Sequence, residues 1–348
     1  MRCAAGAVVM IVAMAVSACA PVVMAPGPRL MEPALDAESF TAADGAVLPL
    51  RAWVPKSGQP HAVILALHGF NDYGRFFDAP GTWLAEQGIA SYAYDQRGFG
   101  GAPGRGLWPG TEALTADVWE VAAALRAANP DVPLVLLGES MGGAVAMVAT
   151  TGAEPPPVDG LILVAPAVWA RATMPWYQTA ALWVASRTVP WLRVTGRGLG
   201  RVPSDNVPML KALSADPLVI KETRIDAIHG LVDLMDAALE AAPRLSVPML
   251  VLYGQRDEII PKAPTRRMLA SLPPAALERH RVAIYESGYH MLLRDLQADV
   301  VWRDIVHWVA DPAAPLPSGA DTPATVGNDG RRLSGAAAMP YGADGGDP

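Results

Sequence analysis

The chain has 348 residues, 51% of them hydrophobic and 18% charged, so it can bury a large core and suits one big domain with appendages. Its formal net charge of −7 offers no basic surface, and Lys and Arg cluster no further than pairs such as Arg266 and Arg267, so binding of nucleic acid has no electrostatic basis. Both cysteines, Cys3 and Cys19, precede the body of the chain, which leaves that body without a thiol for a disulfide, a metal or a nucleophile.

The N-terminus runs from Met1 and Arg2 through a nearly unbroken apolar stretch, Cys3 to Val16, to the small residues Ser17 and Ala18. That is the charged start, apolar centre and small-residue exit of a secretory signal, predicted over residues 1–18. Val16-Ser17-Ala18-Cys19 resembles the lipobox of bacterial lipoproteins, which implies Cys19 as the lipid-attachment site and Ala20 as a residue compatible with the outer membrane. The protein is then expected in the cell envelope, lipid-anchored and facing the periplasm, with the membrane as a partner through its N-terminus. An uncleaved anchor or an ordinary signal with an incidental Cys are the alternatives.

Residues 19–33 are Pro-rich and aperiodic and read as a linker. Ser39-Phe40 and Val47 to Val54, around Asp44-Gly45, read as an antiparallel hairpin at a sheet edge. Five apolar runs then read as buried strands: Ala62–Leu67, Ile89–Tyr94, Pro133–Leu137, Leu161–Val164 and Met249–Tyr253. Between them lie stretches with helical spacing, such as Thr111–Ala128 with Leu114, Val118, Val121 and Leu125 on one face. The alternation predicts an α/β fold with a mostly parallel central sheet and helices on both faces, over residues 34–310. From about Trp169 to Pro243 no strand-like run occurs, while Trp169, Met174, Trp176, Trp183, Trp191 and Met209 crowd together. This predicts an inserted helical cap over the carboxyl ends of the strands, where open α/β sheets bind ligands. Residues 311–348 are mostly Ala, Gly, Pro and Asp, and are predicted to be disordered.

Gly138-Glu139-Ser140-Met141-Gly142 is G-x-S-x-G between a strand and a helix, the setting that exposes a nucleophilic serine on a sharp turn. A serine hydroxyl needs a base, and the base a carboxylate. Of six histidines, His290 alone follows a strand-like run (Val282 to Tyr285) and a flexible Glu286-Ser287-Gly288, which places it on a loop at a strand's carboxyl end. Asp257 follows the Met249–Tyr253 strand in the same way; Glu258 beside it and Asp95 after an earlier strand are rival acids. The order Ser140, Asp257, His290 is that of the α/β-hydrolase fold. The two backbone donors that an acyl-transfer oxyanion needs are expected from Met141 at a helix start and Phe70 in His68-Gly69-Phe70-Asn71.

Together with Tyr94-Asp95-Gln96-Arg97-Gly98-Phe99-Gly100, Ser214-Ala215-Asp216-Pro217-Leu218, Gly254-Gln255-Arg256-Asp257 and Tyr289-His290, these motifs resemble the monoacylglycerol lipase and lysophospholipase group of α/β hydrolases, from about Phe40 to Val309. The resemblance implies Ser140, Asp257 and His290 as the catalytic residues, Phe70 and Met141 as oxyanion donors, no metal or organic cofactor, and an acyl-ester lipid as substrate. Trp and Met of the cap are compatible with either packing or an apolar acyl tunnel. Other carboxylesterase, acyltransferase or amidase chemistry, and a non-catalytic lipid-binding envelope protein, stand as alternatives. One departure is Glu139, where the family commonly has His; its protonation tunes activity or it accepts a local hydrogen bond.

Overall fold

The computed structural model describes residues 20–196, 198, 200–273, 280–321, 325–326 and 332–333. Among the described residues nine strands form one sheet, in the order β1-β2-β3-β5-β4-β6-β7-β10-β11. β1 (Ala34–Leu35), β2 (Ser39–Thr41) and β3 (Val47–Trp53) make the antiparallel edge, with Gly45 at φ 83° closing the turn between β2 and β3. β4 (Ala62–Leu67), β5 (Ile89–Tyr94), β6 (Leu134–Glu139), β7 (Gly160–Val164), β10 (Met249–Gly254) and β11 (His280–Tyr285) are parallel, so their carboxyl ends share one edge of the sheet. β8 (Arg193–Val194) and β9 (Thr223–Arg224) pair separately with each other. The protein has the α/β-hydrolase fold.

The parallel strands are apolar throughout because both faces are covered. On one face, Val63, Leu65, Leu136 and Leu163 pack against α2 (Thr111–Ala128), α3 (Met141–Thr150) and α6 (Ile225–Ala241). On the other, Ile64, Leu137, Ile162 and Leu252 meet Leu84 of α1 (Asp78–Glu86) and Val301, Ile305 and Trp308 of α8 (Ala298–Ala310). The remaining helices are α4 (Trp176–Thr188) and α5 (Val207–Ala215) in the cap, and α7 (Lys262–Ala270) after β10.

Three segments differ from their sequence reading. The cap is shorter than 169–243, because α6 buries Ala227, Val232, Leu234, Met235 and Ala238 and packs on α3. It is the crossover helix that the parallel step from β7 to β10 requires. The supposed linker follows the surface of the body: Met24 N–H donates to Trp108 O at 2.8 Å, Gly27 N–H to Asp44 Oδ2 at 3.0 Å and Leu30 N–H to Ala43 O at 2.7 Å. Residues 311–321, read as part of a disordered tail, cover the free edge of β11. Ile284 N–H donates to Ala320 O at 2.9 Å, Arg281 Nη1 to Asp321 Oδ2 at 2.7 Å, and Leu316 is buried. Thr325–Val326 then pairs with Arg332–Leu333; most other tail residues, like the signal and Cys19, lie outside the described residues. An exposed sheet edge carries unpaired donors and acceptors, and a polar, low-hydrophobicity segment can satisfy them without a core of its own.

Arg97 fastens the antiparallel edge to α2. Its Nε donates to Asp117 Oδ2 at 2.8 Å and its Nη1 to Asp44 Oδ2 at 2.5 Å, all three side chains being buried or nearly so. Arg97 holds the Asp44 carboxyl down to about 2, whereas burial pushes Asp117 up to about 6 despite the same partner. Replacing one member of such a group strands a buried charge, so Arg97→Met is expected to lower unfolding free energy by about 3–5 kcal/mol in a denaturant titration.

Candidate active site

Ser140 joins β6 to α3 at φ 54°, ψ −114°, a backbone region that L-residues rarely occupy. The chain turns sharply there because glycines allow it. A Cβ on Gly138 would lie 2.4 Å from the Gly142 carbonyl carbon, and one on Gly142 would lie 2.3 Å from Leu67 O. Ser140 N–H donates to Val164 O at 2.9 Å, and its carbonyl accepts from Ala144 N–H and Ala167 N–H, so both neighbouring segments hold the turn. Met141 opens α3, with its backbone amide in the positive end of the helix.

The loop after β4 lies against this turn: a Cβ on Gly69 would come within 3.3 Å of Ser140 Cβ and 3.9 Å of Oγ. His68 fixes the loop. Gln96 N–H donates to His68 Nε2 at 2.9 Å, so the ring proton sits on Nδ1, which donates to Gly69 O at 2.8 Å. Burial pushes the His68 pKa down, keeping the imidazole neutral, and Gln96 Nε2 donates to His68 O at 2.9 Å. Phe70 stacks edge-on with Phe99, and Asn71 takes φ 67°. The cap is stitched to the same loop: Ile220 N–H donates to Asn71 O at 3.0 Å, Asn71 Nδ2 to Thr223 Oγ1 at 2.7 Å and Tyr73 Oη to Asp216 Oδ2 at 2.7 Å.

Asp257 and His290 come together across the ends of β10 and β11. His290 Nδ1 lies 2.8 Å from Asp257 Oδ2, and Asp257 Oδ1 accepts from Ile259 N–H at 2.7 Å and Ile260 N–H at 3.0 Å. Both side chains are buried. Glycine again permits the approach, since a Cβ on Gly254 would sit 2.3 Å from Tyr289 O. The rival acids are engaged elsewhere: Glu258 Oε2 accepts from Val202 N–H at 2.9 Å, while Asp95 binds Arg51, Gly74 N–H and Gly101 N–H. Burial opposes the charged imidazole of His290, but the Asp257 carboxylate, helped by Glu139, outweighs it and raises the pKa.

A second buried group adjoins Ser140. Arg294 donates through Nη1 to Asp72 Oδ2 at 2.7 Å and through Nη2 to Glu139 Oε1 at 2.8 Å. Burial raises the Glu139 pKa, and Arg294 opposes that rise. Glu139 is therefore both buried and in a local hydrogen bond, and its charge acts on His290. Asp72 and Arg294 escape sequence reasoning. Their spacing from Phe70 and His290 places them near the loops, but no motif says that one arginine spans both.

The tryptophans of the cap divide between two surroundings, and Trp169, like Met174, is partly buried against the core. Trp176, Trp183 and Trp191 are exposed, and Ser186 is the one buried residue of α4. A different space lies between α5 and the body: a cavity of about 400 Å³ lined by Tyr73, Phe76, Met209, Leu213, Leu293 and Trp302 among others.

Residues 58–297 match the Hydrolase_4 family, described as serine aminopeptidase, S33. The chain belongs to that family. Among Hydrolase_4 relatives, the monoglyceride lipase of Homo sapiens is 27% identical over 288 residues, 81% of this chain and 93% of that protein. The monoacylglycerol lipase of Mycolicibacterium smegmatis is 25% identical over 274 residues, 78% of this chain and 95% of that protein. A soluble variant of monoglyceride lipase from Saccharomyces cerevisiae, solved with a substrate analogue, superposes with a TM-score of 0.66 at 22% identity, covering 83% of this chain and 99% of that one.

Because the Glu139 carboxylate stabilises the imidazolium, Glu139→Gln is expected to lower the His290 pKa. Titration of the imidazole resonances by NMR checks this; an unchanged or higher value would contradict the coupling.

Proposed function

We propose that this carboxylic ester hydrolase cleaves acyl esters such as monoacylglycerols through an acyl-enzyme on Ser140. The Asp257–His290 bond at 2.8 Å carries the reading, because it commits Nδ1 to the carboxylate and leaves Nε2 as the nitrogen that exchanges protons. Ser140 Oγ attacks the ester carbonyl carbon while His290 Nε2 takes its proton, and Asp257 stabilises the imidazolium. The Phe70 and Met141 amides donate to the tetrahedral oxyanion. Collapse breaks the C–O bond to the alcohol, which leaves with the proton from His290. Water, deprotonated by His290, then attacks the acyl-enzyme, releases the fatty acid and returns the proton to Ser140.

The strained φ of Ser140, the loop pressed against it by Gly69 and the lipase relatives support this assignment. The family's aminopeptidase description favours amides as the second substrate class. Product analysis with monoacylglycerols, lysophospholipids and aminoacyl amides separates the classes; turnover of amides alone would overturn the ester reading.

A fluorophosphonate probe is expected to label the wild type and not Ser140→Ala, with kcat of that variant falling by about 10⁴-fold or more. Labelling that survives the substitution would count against Ser140. Since catalysis requires neutral His290 and its pKa is raised, activity should fall as the pH drops through a midpoint above 6.5. A pH profile of kcat/KM with its acid midpoint below 6.5 would contradict this.

For the N-terminus, we infer that Cys19 carries lipid and holds the protein at the outer membrane, facing the periplasm. The Val16-Ser17-Ala18-Cys19 sequence, with its only companion cysteine upstream at Cys3, supports this. Wild-type protein is expected to incorporate radiolabelled palmitate and Cys19→Ala is not; labelling that survives the substitution would contradict lipidation at this residue.

A further inference from the structure

Residues 20–31 precede the stretch 58–297 that matches the family, yet they are fastened to the body at Val22, Met24 and Leu30. Val22 N–H donates to Asp226 Oδ2 on α6 at 3.3 Å, Met24 N–H to Trp108 O at 2.8 Å, and Leu30 N–H to Ala43 O before the β2–β3 turn at 2.7 Å. A segment that only joined a tether to the domain would need none of these bonds.

Under the middle of this segment lies the loop from Gly98 to Gly110. Val23 and Trp108 form a parallel bridge. Val23 Cγ1 lies 3.2 Å from where a Cβ on Gly110 would stand, and the Met24 thioether fills the place of a Cβ on Gly104. These two glycines have φ of 86° and 73°, so the loop has little preference of its own for its native path and gains from support outside it. Beneath the loop Trp108 is buried, its indole pressed against Gly230 of α6.

Trp108 also reaches the active site. Its ring centroid is 6.4 Å from that of Phe70, and Phe99, near the other end of the same loop, is 5.6 Å from Phe70. The carbonyl of the Gly69–Phe70 peptide is held from behind, by His68 Nδ1 at 2.8 Å and Asp72 N–H at 3.2 Å, and the amide N–H of that plane faces the opposite way. Phe70 N–H makes no hydrogen bond among the described residues. The lateral position of this donor therefore rests on the Phe70 ring in its cradle of Phe99 and Trp108.

We propose that residues 22–30 are a positioning strap for this oxyanion donor. Val23 and Met24 hold the 98–110 loop down, and Trp108, a positioning residue, holds Phe70 so that its amide stays aimed at the oxyanion on Ser140. The proposal rests on the ester reading, in which Phe70 is that donor. A small displacement of the donor weakens a bond made in the transition state and leaves substrate binding intact, so loosening the strap lowers kcat and spares KM. The strap, Trp108 and Phe70 contacts do not involve His290, Asp257 or Glu139, so the acid midpoint of the pH profile stays in place.

The full chain is assayed with a 4-nitrophenyl ester as probe. Trp108→Ala is expected to lower kcat about tenfold, with KM within about twofold of the wild type and the acid midpoint unmoved, and Trp108→Phe to recover most of the loss. Trp108 is buried, so Val23→Gly combined with Met24→Gly, outside the buried core, repeats the test without opening a cavity. For that pair kcat should fall about threefold while the far-ultraviolet circular dichroism stays that of the wild type. Unchanged kcat in the folded strap pair, a loss carried by KM, or a shifted acid midpoint would overturn the proposal with the ester reading intact. No ester turnover by the wild type would overturn both.

Discussion

A peptide unit held at positive φ between a strand and a helix is costly for any residue but glycine, and Ser140 is held there. Nothing local repays that strain; it is sustained by close packing on three sides. Gly138 and Gly142 let the turn close on itself and on the end of β4, and the Val164 carbonyl fixes the Ser140 amide from β7. The two apolar cores hold these strands in register, so the serine's position depends on side chains far from it. The same edge of the sheet supplies the loops that bear Asp257 and His290, because parallel strands all end on one side.

Around this turn the structure separates charged groups by role. Asp257 spends one oxygen on two backbone amides and the other on His290, so a buried carboxyl group is held oriented toward the imidazole. His68, equally buried, is kept neutral and serves as a bracket for the Gly69 loop. Arg294 balances two further carboxylates and thereby links the loop after β4, the end of β6 and the loop after β11. Three chain segments distant in sequence are tied at one guanidinium, whose planar fork suits two carboxylates at once.

Much of this was legible because it follows from short-range rules. Ala62–Leu67, Ile89–Tyr94 and Thr111–Ala128 stand in the structure with the bounds read from their apolar runs and spacing. Asp257 and His290 are readable from their places after strands, with Asp257 preferred to Glu258; where Glu258 goes instead, to Val202 N–H, is visible only in the backbone path. The Asp72–Arg294–Glu139 group was not readable, because a partnership across 155 and 222 positions leaves no local pattern. Tryptophan composition likewise cannot say which way a ring faces, and α6 looks like a cap helix until α3 is seen beneath it. The segment before β1 and residues 311–321 depart from their composition for a shared reason: low hydrophobicity signals the lack of a core, yet backbone hydrogen bonds pin both segments to one.

In the proposed mechanism one serine on this strained turn carries the acyl group between two half-reactions. Its most direct measurement is rapid quenching of the enzyme with an ester substrate, followed by mass spectrometry of the digested protein. An acyl group on the peptide containing Ser140, formed and lost at rates that match turnover, is the predicted result. Steady turnover with no acylated peptide, or acylation at another residue, would contradict it.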